Sequence, residues 1–222
     1  MMGSIASALA EAWETGQPLA PLSTDHALTS LDAAENVAGE VLEKLALAPC
    51  GIRVAESGLV GAMLPGRLMA QGSPLPLAVL PHGRAAPALL VVLDEAITEN
   101  DTGLPAVAQL HLALDLSASR WRDGPANIFE AAADLAGLGQ VVVGKGKAPS
   151  WPTSCALGAP RARRVGVASL FETAVRVARE AGGLPVGAVL VLVFDSAAEA
   201  LAAPGPVTAR WTGLGVVSAA LR

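Results

Sequence analysis

Leu110-His-Leu-Ala-Leu-Asp-Leu-Ser-Ala-Ser-Arg-Trp121 is the stretch on which the fold turns. Its first seven residues, Leu110 to Leu116, form a short apolar run of the kind that builds strands. Side chains alternate along a strand with period two, so His111, Ala113 and Asp115 point the same way. An imidazole and a carboxylate are therefore expected on one face. Similar runs, separated by glycine and proline, occur at Ile52 to Ala55, Leu75 to Leu80, Ala88 to Leu93, Gln140 to Val143, Val189 to Phe194, Val207 to Trp211 and Val216 to Leu221. All are expected to be strands.

Helices precede and interrupt these strands. Ser4 is placed to cap a helix whose Ile5, Leu9 and Trp13 recur every fourth residue, giving one apolar stripe with Trp13 expected in the core. Gly16, Pro18 and Pro21 end it. A longer helix is expected from Ser30 to Leu47, with Leu31, Ala34, Val37, Val41 and Leu45 on one face and Pro49 beyond its end. Asn127 is placed to cap a helix through Ala136. Ser169-Leu-Phe-Glu172 fits a capping box for another, with Phe171, Val175 and Ala178 inward and Gly182 and Gly183 closing the end. The expectation is an α+β class and a single domain over residues 1–222, of which residues 1–50 are mainly helical.

Composition narrows the function. The 222 residues are 52% hydrophobic and 16% charged, against about 25% charged in an average soluble domain, which excludes intrinsic disorder. The longest apolar run, Leu184 to Phe194, has 11 residues and contains Pro185 and Gly187. A spanning helix needs about 20, so no membrane crossing is expected. No positively charged region precedes an apolar core at the N-terminus, which leaves the cytoplasm as the expected location. A net charge of -5 disfavours nucleic acid as a partner, and the basic cluster Arg161, Arg163 and Arg164 reads as a solvated loop. Cys50 and Cys155, 105 positions apart, read as buried thiols, and the sequence leaves open whether they meet.

No motif names a reaction. His26, His82 and His111 are not at metal-ligand spacing from one another. Gly144-Lys-Gly-Lys147 lacks the phosphate-loop pattern and reads as a solvated turn.

Taken in order, however, several segments resemble the 2-keto-4-pentenoate hydratase family, which includes 4-oxalocrotonate decarboxylases and belongs to the fumarylacetoacetate hydrolase superfamily. Pro21-Leu-Ser23 followed by Leu28 to Val37 resembles the family's opening. Ile52-Arg-Val-Ala-Glu-Ser57 stands where the family has Tyr-Lys-Ile-Gly-Leu-Thr. Ala86-Pro-Ala-Leu-Leu-Val-Val-Leu93 matches Glu-Pro-Glu-Ile-Ala-Phe-Val-Leu, and Leu112 to Trp121 matches Pro-Ala-Leu-Glu-Ile-Val-Asp-Ser-Arg-Trp. Asp134 to Gly144 parallels Asp-Asn-Ala-Ser-Asn-Ala-Gly-Phe-Val-Leu-Gly. Leu184-Pro-Val-Gly187, Pro204-Gly205 and Thr212 to Ser218 resemble the closing segments. The resemblance implies N-terminal helices followed by a mixed β-roll with inserted helices.

It also implies Mg²⁺ held by three carboxylates, and those positions are Ala86, Ala88 and Asp115 here. Two alanine methyls donate nothing to a hard cation, so no cofactor is expected. The family lysine falls at Arg53, which stays charged and cannot deliver a proton at neutral pH. An asparagine and a serine fall at Leu135 and Gly137, and a Thr-Gly-Ser turn at Leu192, Val193 and Phe194. Asp134, Ser119 and Arg120 are retained.

The first functional expectation is therefore a hydratase-fold protein without metal-dependent hydratase or decarboxylase activity, serving as a ligand-binding or structural subunit. Arg53, Asp134 and Ser119 are its candidate ligand-binding residues. The alternative is a rewired lyase acting on a small 2-keto acid, with Arg53 holding a carboxylate, Asp115 as base and His111 nearby. The expected partners are a small anionic or keto-acid ligand and further copies of the chain, as a homo-oligomer, or an active homologue.

Overall fold

Two helices open the chain, as the spacing of its apolar residues requires. The computed structural model describes residues 2–23, 27–158 and 161–222, so His26 lies outside the described residues. Helix α1 spans Met2–Thr15; it begins ahead of Ser4, which sits inside it, and it buries Ile5 and Leu9. Helix α2 spans Leu31–Lys44, and Ser30 caps it by accepting a hydrogen bond from the Ala33 amide (3.2 Å). Ala34, Val37 and Val41 form its buried face, whereas Leu31 is exposed. The helix stops three residues short of Leu47 because Ala46 turns left-handed at φ 51°.

The strands are β1 (Gly51–Ala55), β2 (Val60–Met63), β3 (Leu68–Ala70), β4 (Pro74–Leu75), β5 (Arg84–Leu93), β6 (Val107–Ser117), β7 (Gln140–Lys147), β8 (Ser154–Leu157), β9 (Arg163–Arg164), β10 (Val189–Val193), β11 (Glu199–Ala200), β12 (Gly205–Trp211) and β13 (Gly215–Leu221). The larger sheet runs β2-β1-β10-β5-β6-β7-β3, with β11 continuing beside β5, and the smaller runs β4-β13-β12-β8-β9. The larger sheet is mixed: β1 pairs β10 and β3 pairs β7 in parallel, and the other ladders in it are antiparallel. Pro87 sits mid-strand in β5, where an amide would be missed. It falls in the gap between the β10 ladder, which ends at Ala88, and the β11 ladder, which begins at Ala85.

The alternation of β6 separates two cores. Leu110, Leu112, Leu114 and Leu116 join one cluster with Trp211, Val217 and Leu221 of the smaller sheet and with Phe171 and Ala174 of helix α4 (Val167–Glu180). Ala113 joins the other, with Ala86, Ala88, Val191 and Val193 and with Ile5, Leu9, Val37 and Val41 of the opening helices.

Several local expectations change. Of Leu75 to Leu80 only Leu75 lies in a strand, at the end of β4, after which Leu77–Val79 is a 3-10 turn, since Pro74, Pro76 and Pro81 break up ladder donors. Gly144 to Lys147 is no turn; it continues β7, with Gly146 opposite His111. Ser169 does not cap α4, because the helix begins at Val167 behind Gly166, and the Ser169 hydroxyl donates back to the Gly166 carbonyl. Arg163 and Arg164 are exposed but form the short strand β9. Helix α3 (Ile128–Ala133) is capped by Asn127 and ends before Ala136. Cys50 and Cys155 are both free. No helix among the described residues is long and apolar enough to cross a membrane.

Candidate functional site

The register of β5 against β6 places Ala86 opposite Asp115 and Ala88 opposite Ala113, so the three positions at which the sequence resemblance would place metal-binding carboxylates share one face. Arg53 comes from β1, three strands away from β6 in the sheet order. On a flat sheet that is ~14 Å, more than an arginine and an aspartate side chain span together. The curl of the sheet closes the distance. Arg53 Nε donates to Asp115 Oδ1 (2.7 Å) and Nη2 to Oδ2 (2.6 Å), a bidentate fork, while Nη1 donates to the Ala136 carbonyl (2.9 Å). Arg53 is 4% and Asp115 2% exposed. Burial works against the charged guanidinium, but the charge and hydrogen bonds of Asp115, with Asp195 adding its charge, hold the Arg53 pKa above its ordinary value.

The Ala136 carbonyl reaches Arg53 through an unusual turn. Leu135 (φ 49°), Ala136 (φ 56°) and Gly137 (φ 66°) are consecutively left-handed, which costs a non-glycine residue about 1–2 kcal/mol each. This turn ends α3 and carries the chain over β2 at Gly61. A Cβ on Gly61 would stand 2.6 Å from the Ala136 Cβ and 3.0 Å from the Leu135 carbonyl oxygen. Only glycine leaves that space.

Around the pair lies a cavity of about 300 Å³ lined by Arg53, Asp115, Ala86, Ser117, Ser119 and Asp134, with His82, Arg84 and Asp195 also contributing. Ser119 accepts from the Trp121 amide through its hydroxyl (3.1 Å). Asp134 is buried and engaged on both oxygens: Oδ1 accepts from Trp13 Nε1 (3.2 Å) and Oδ2 from the Arg120 amide (2.8 Å). The Arg120 guanidinium stands 3.5 Å from Oδ1. Burial outweighs this pairing on both sides, pushing Asp134 up to about 6 and Arg120 down to about 10. Arg84 donates to the Ala198 carbonyl (3.0 Å) and His82 Nε2 pairs with the Arg122 carbonyl (2.7 Å).

The structure thus brings Arg53, Asp115, Ser119 and Asp134 to one cavity and leaves His111 out of its lining. His111 lies four residues from Asp115, ~13 Å along the strand. Its Nδ1 meets the Gly144 carbonyl (2.9 Å), and Nε2 meets Gln109 Oε1 (3.2 Å). Ala88 also lies outside the lining, fully buried in the apolar cluster. Leu192 and Val193 are in β10 and Phe194 follows it, all fully buried rather than in a turn. Sequence reading missed the Ala136 carbonyl, His82 and Arg84. For Arg84, a charged residue immediately before the apolar β5 run was the available signal.

The residues at the aligned metal positions do not fit a divalent cation. Ala86 and Ala88 offer methyls, and both oxygens of Asp115 already accept from a guanidinium. No group of three His, Cys, Asp or Glu side chains among the described residues is placed to hold an ion.

No protein-family model and no curated protein matches the chain. Solved structures do. The 4-oxalocrotonate decarboxylase from Pseudomonas putida G7, complexed with magnesium and adipate, superposes with a TM-score of 0.79 at 16% identity, over 100% of this chain and 97% of that one. The same enzyme complexed with calcium and acetate gives 0.76 at 16% identity and the same coverage. Fumarylpyruvate hydrolase from Pseudomonas aeruginosa, in complex with Mn²⁺ and pyruvate, gives 0.56 at 15% identity over 77% of this chain and 88% of that one. Over its whole length, therefore, the chain has the α+β fold seen in 4-oxalocrotonate decarboxylase.

Proposed function

We propose that this protein does not carry out metal-dependent hydratase or decarboxylase chemistry and acts instead as a ligand-binding subunit on that fold. One observation carries the reading: the Arg53 guanidinium closes bidentately on Asp115, the single carboxylate left at the three aligned metal positions. A fixed positive charge thereby stands against the carboxylate that would otherwise receive an ion. The cavity beside the pair keeps a polar lining, with hydroxyls at Ser117 and Ser119 and the guanidinium of Arg84 near its exposed side. Its volume of about 300 Å³ is at the small end of ligand pockets. A small carboxylate or keto acid held by Arg84 and the serine hydroxyls suits this lining, and a cytoplasmic oligomer, of this chain alone or with an active homologue, is the setting.

Calorimetric titration of the purified protein with MgCl₂ and MnCl₂ tests the first part, and turnover of a 2-hydroxy-2,4-dienoate tests the second. The expected result is no stoichiometric metal binding and no hydration above buffer. Saturable metal binding with turnover overturns the proposal.

A further inference from the structure

A second cavity, of about 400 Å³, lies beside the first and shares Ala118 and Ser119 with it. Trp13 lines it from α1, Arg67 from the 3-10 turn before β3, and Arg120 from the segment after β6. Both guanidiniums stand against the Trp13 ring, with Arg120 Cζ 3.5 Å and Arg67 Cζ 4.5 Å from its centre. The two arginines differ in what else they touch. Arg120 donates to the Ala118 carbonyl (3.1 Å) and the Leu138 carbonyl, and faces Asp134. Arg67 is half-buried, yet among the described residues no carboxylate lies within ion-pairing distance of it and no acceptor takes its side-chain N–H groups.

That arrangement leaves a guanidinium fork open to an anion. A guanidinium presents five N–H donors in a fixed fork, and those of Arg67 face solvent with no protein acceptor among the described residues. Burial pushes the Arg67 pKa below its ordinary value, and the charge of Arg67 in turn lowers that of Arg120. Glu14, the one acid in the lining, is exposed and pairs with neither arginine. The remaining walls include Ala12, Pro18, Val79 and Pro81, and half of Val79 is exposed.

The geometry points to a second binding site, in this cavity, for the carboxylate of a small organic acid, with the Arg67 fork on the carboxylate and the apolar walls on the hydrocarbon body. Phosphate matches the fork equally well but leaves the apolar walls unused. The site does not depend on how the first cavity functions.

Benzoate is the probe, titrated into the full chain by calorimetry and by ligand-observed NMR, with inorganic phosphate as competitor. Saturable benzoate binding is expected, with phosphate displacing it only at higher concentration. Arg67→Met weakens binding at least tenfold, Arg67→Lys weakens it less, and Glu14→Gln, at an exposed position, tightens it. Lys44→Met, an exposed cation in the last turn of α2 outside both cavities, leaves it unchanged. The inference is overturned by absence of saturable binding, by full affinity in Arg67→Met, by equal loss of binding in Lys44→Met, or by phosphate competing at or below the benzoate concentration.

Discussion

Replacing Asp115 by asparagine tests the central feature of the cavity directly. In the native protein three hydrogen bonds of 2.6 to 2.9 Å hold the Arg53 guanidinium, two of them to Asp115. Asparagine keeps the shape but sets its NH₂ against an arginine N–H and removes the countercharge, leaving a 4% exposed cation with only neutral amide oxygens, that of the asparagine and that of Ala136, as acceptors. Removing one partner of a buried pair costs about 3–5 kcal/mol. At about 2–4 °C per kcal/mol for a chain of this size, a loss of about 4 kcal/mol lowers Tm by about 8–16 °C. Removing both charges has a different outcome: Arg53→Met with Asp115→Leu leaves no uncompensated ion, and such replacements are often neutral or stabilising. Urea unfolding of the wild type, Arg53→Met, Asp115→Leu and the double variant closes the cycle. The reasoning fails if Asp115→Asn costs under about 1 kcal/mol, or if the double variant is as unstable as the two single losses summed.

Asp134 gives a pH signature opposite to that of most carboxylates. Its value is about 6 in the folded chain against 3.8 ordinarily, so between those limits the folded state holds a proton that the unfolded state has released. Its contribution to stability therefore falls as pH rises from about 4 to 6, by roughly 1.4 kcal/mol per unit; denaturation at pH 4, 5, 6 and 7 should show this downward component in the wild type and not in Asp134→Asn. Ala46→Gly relieves a left-handed, exposed residue just past α2 and should raise stability by about 0.5–1 kcal/mol in urea; destabilisation would refute the assignment of strain. Gly61→Ala pushes a methyl to within 2.6 Å of the Ala136 Cβ and should cost about 1–3 kcal/mol. That cost should shrink when Arg53 is already methionine, because the displaced turn then has no guanidinium to hold, and strict additivity of the two changes would contradict the coupling.

How far the sequence could be read depended on whether the deciding physics was local. The apolar runs that became β1, β5, β6, β10, β12 and β13 bury enough side chain for composition alone to mark them. Strands β2, β3, β8, β9 and β11 carry no such signal, since each exists because a neighbouring strand supplies hydrogen-bond partners. Helix ends behaved similarly. Ser30 and Asn127 cap by contacts three residues away, whereas α3 stops at Ala133 because Leu135 and Ala136 are held left-handed over Gly61, 74 or more positions earlier. The family-like order of segments located Ala86, Ala88, Asp115 and Arg53, and the sheet register put the first three on one face. That Arg53 would seize Asp115 was not legible, because it requires β1 to curl towards β6 across two intervening strands. His111 illustrates the reverse: period two put it on the face of Asp115, but sharing a face along one strand does not bring two groups within reach of each other.

The distribution of buried polarity bears on whether this cavity binds something or merely holds the fold together. Among the described residues, the buried polar or charged side chains are Arg53, Asp115, Ser119, Glu130 and Asp134. Glu130 has a structural account at the start of α3: its carboxylate accepts from the Ala126 amide (2.7 Å), just ahead of the cap, while its own amide donates to Asn127 Oδ1 (3.0 Å). The other four all line the first cavity. In a chain with only 16% charged residues and alanine at two of the three aligned metal positions, keeping ions here is the less stable choice, because an apolar pair of similar size avoids the desolvation of both charges. Structural roles account for part of this polarity, since Arg53 holds the Ala136 carbonyl and Asp134 holds Trp13 and the Arg120 amide. The proposed ligand would add a reason for the open volume beside them, because its polar groups bind best to partners already fixed before it arrives.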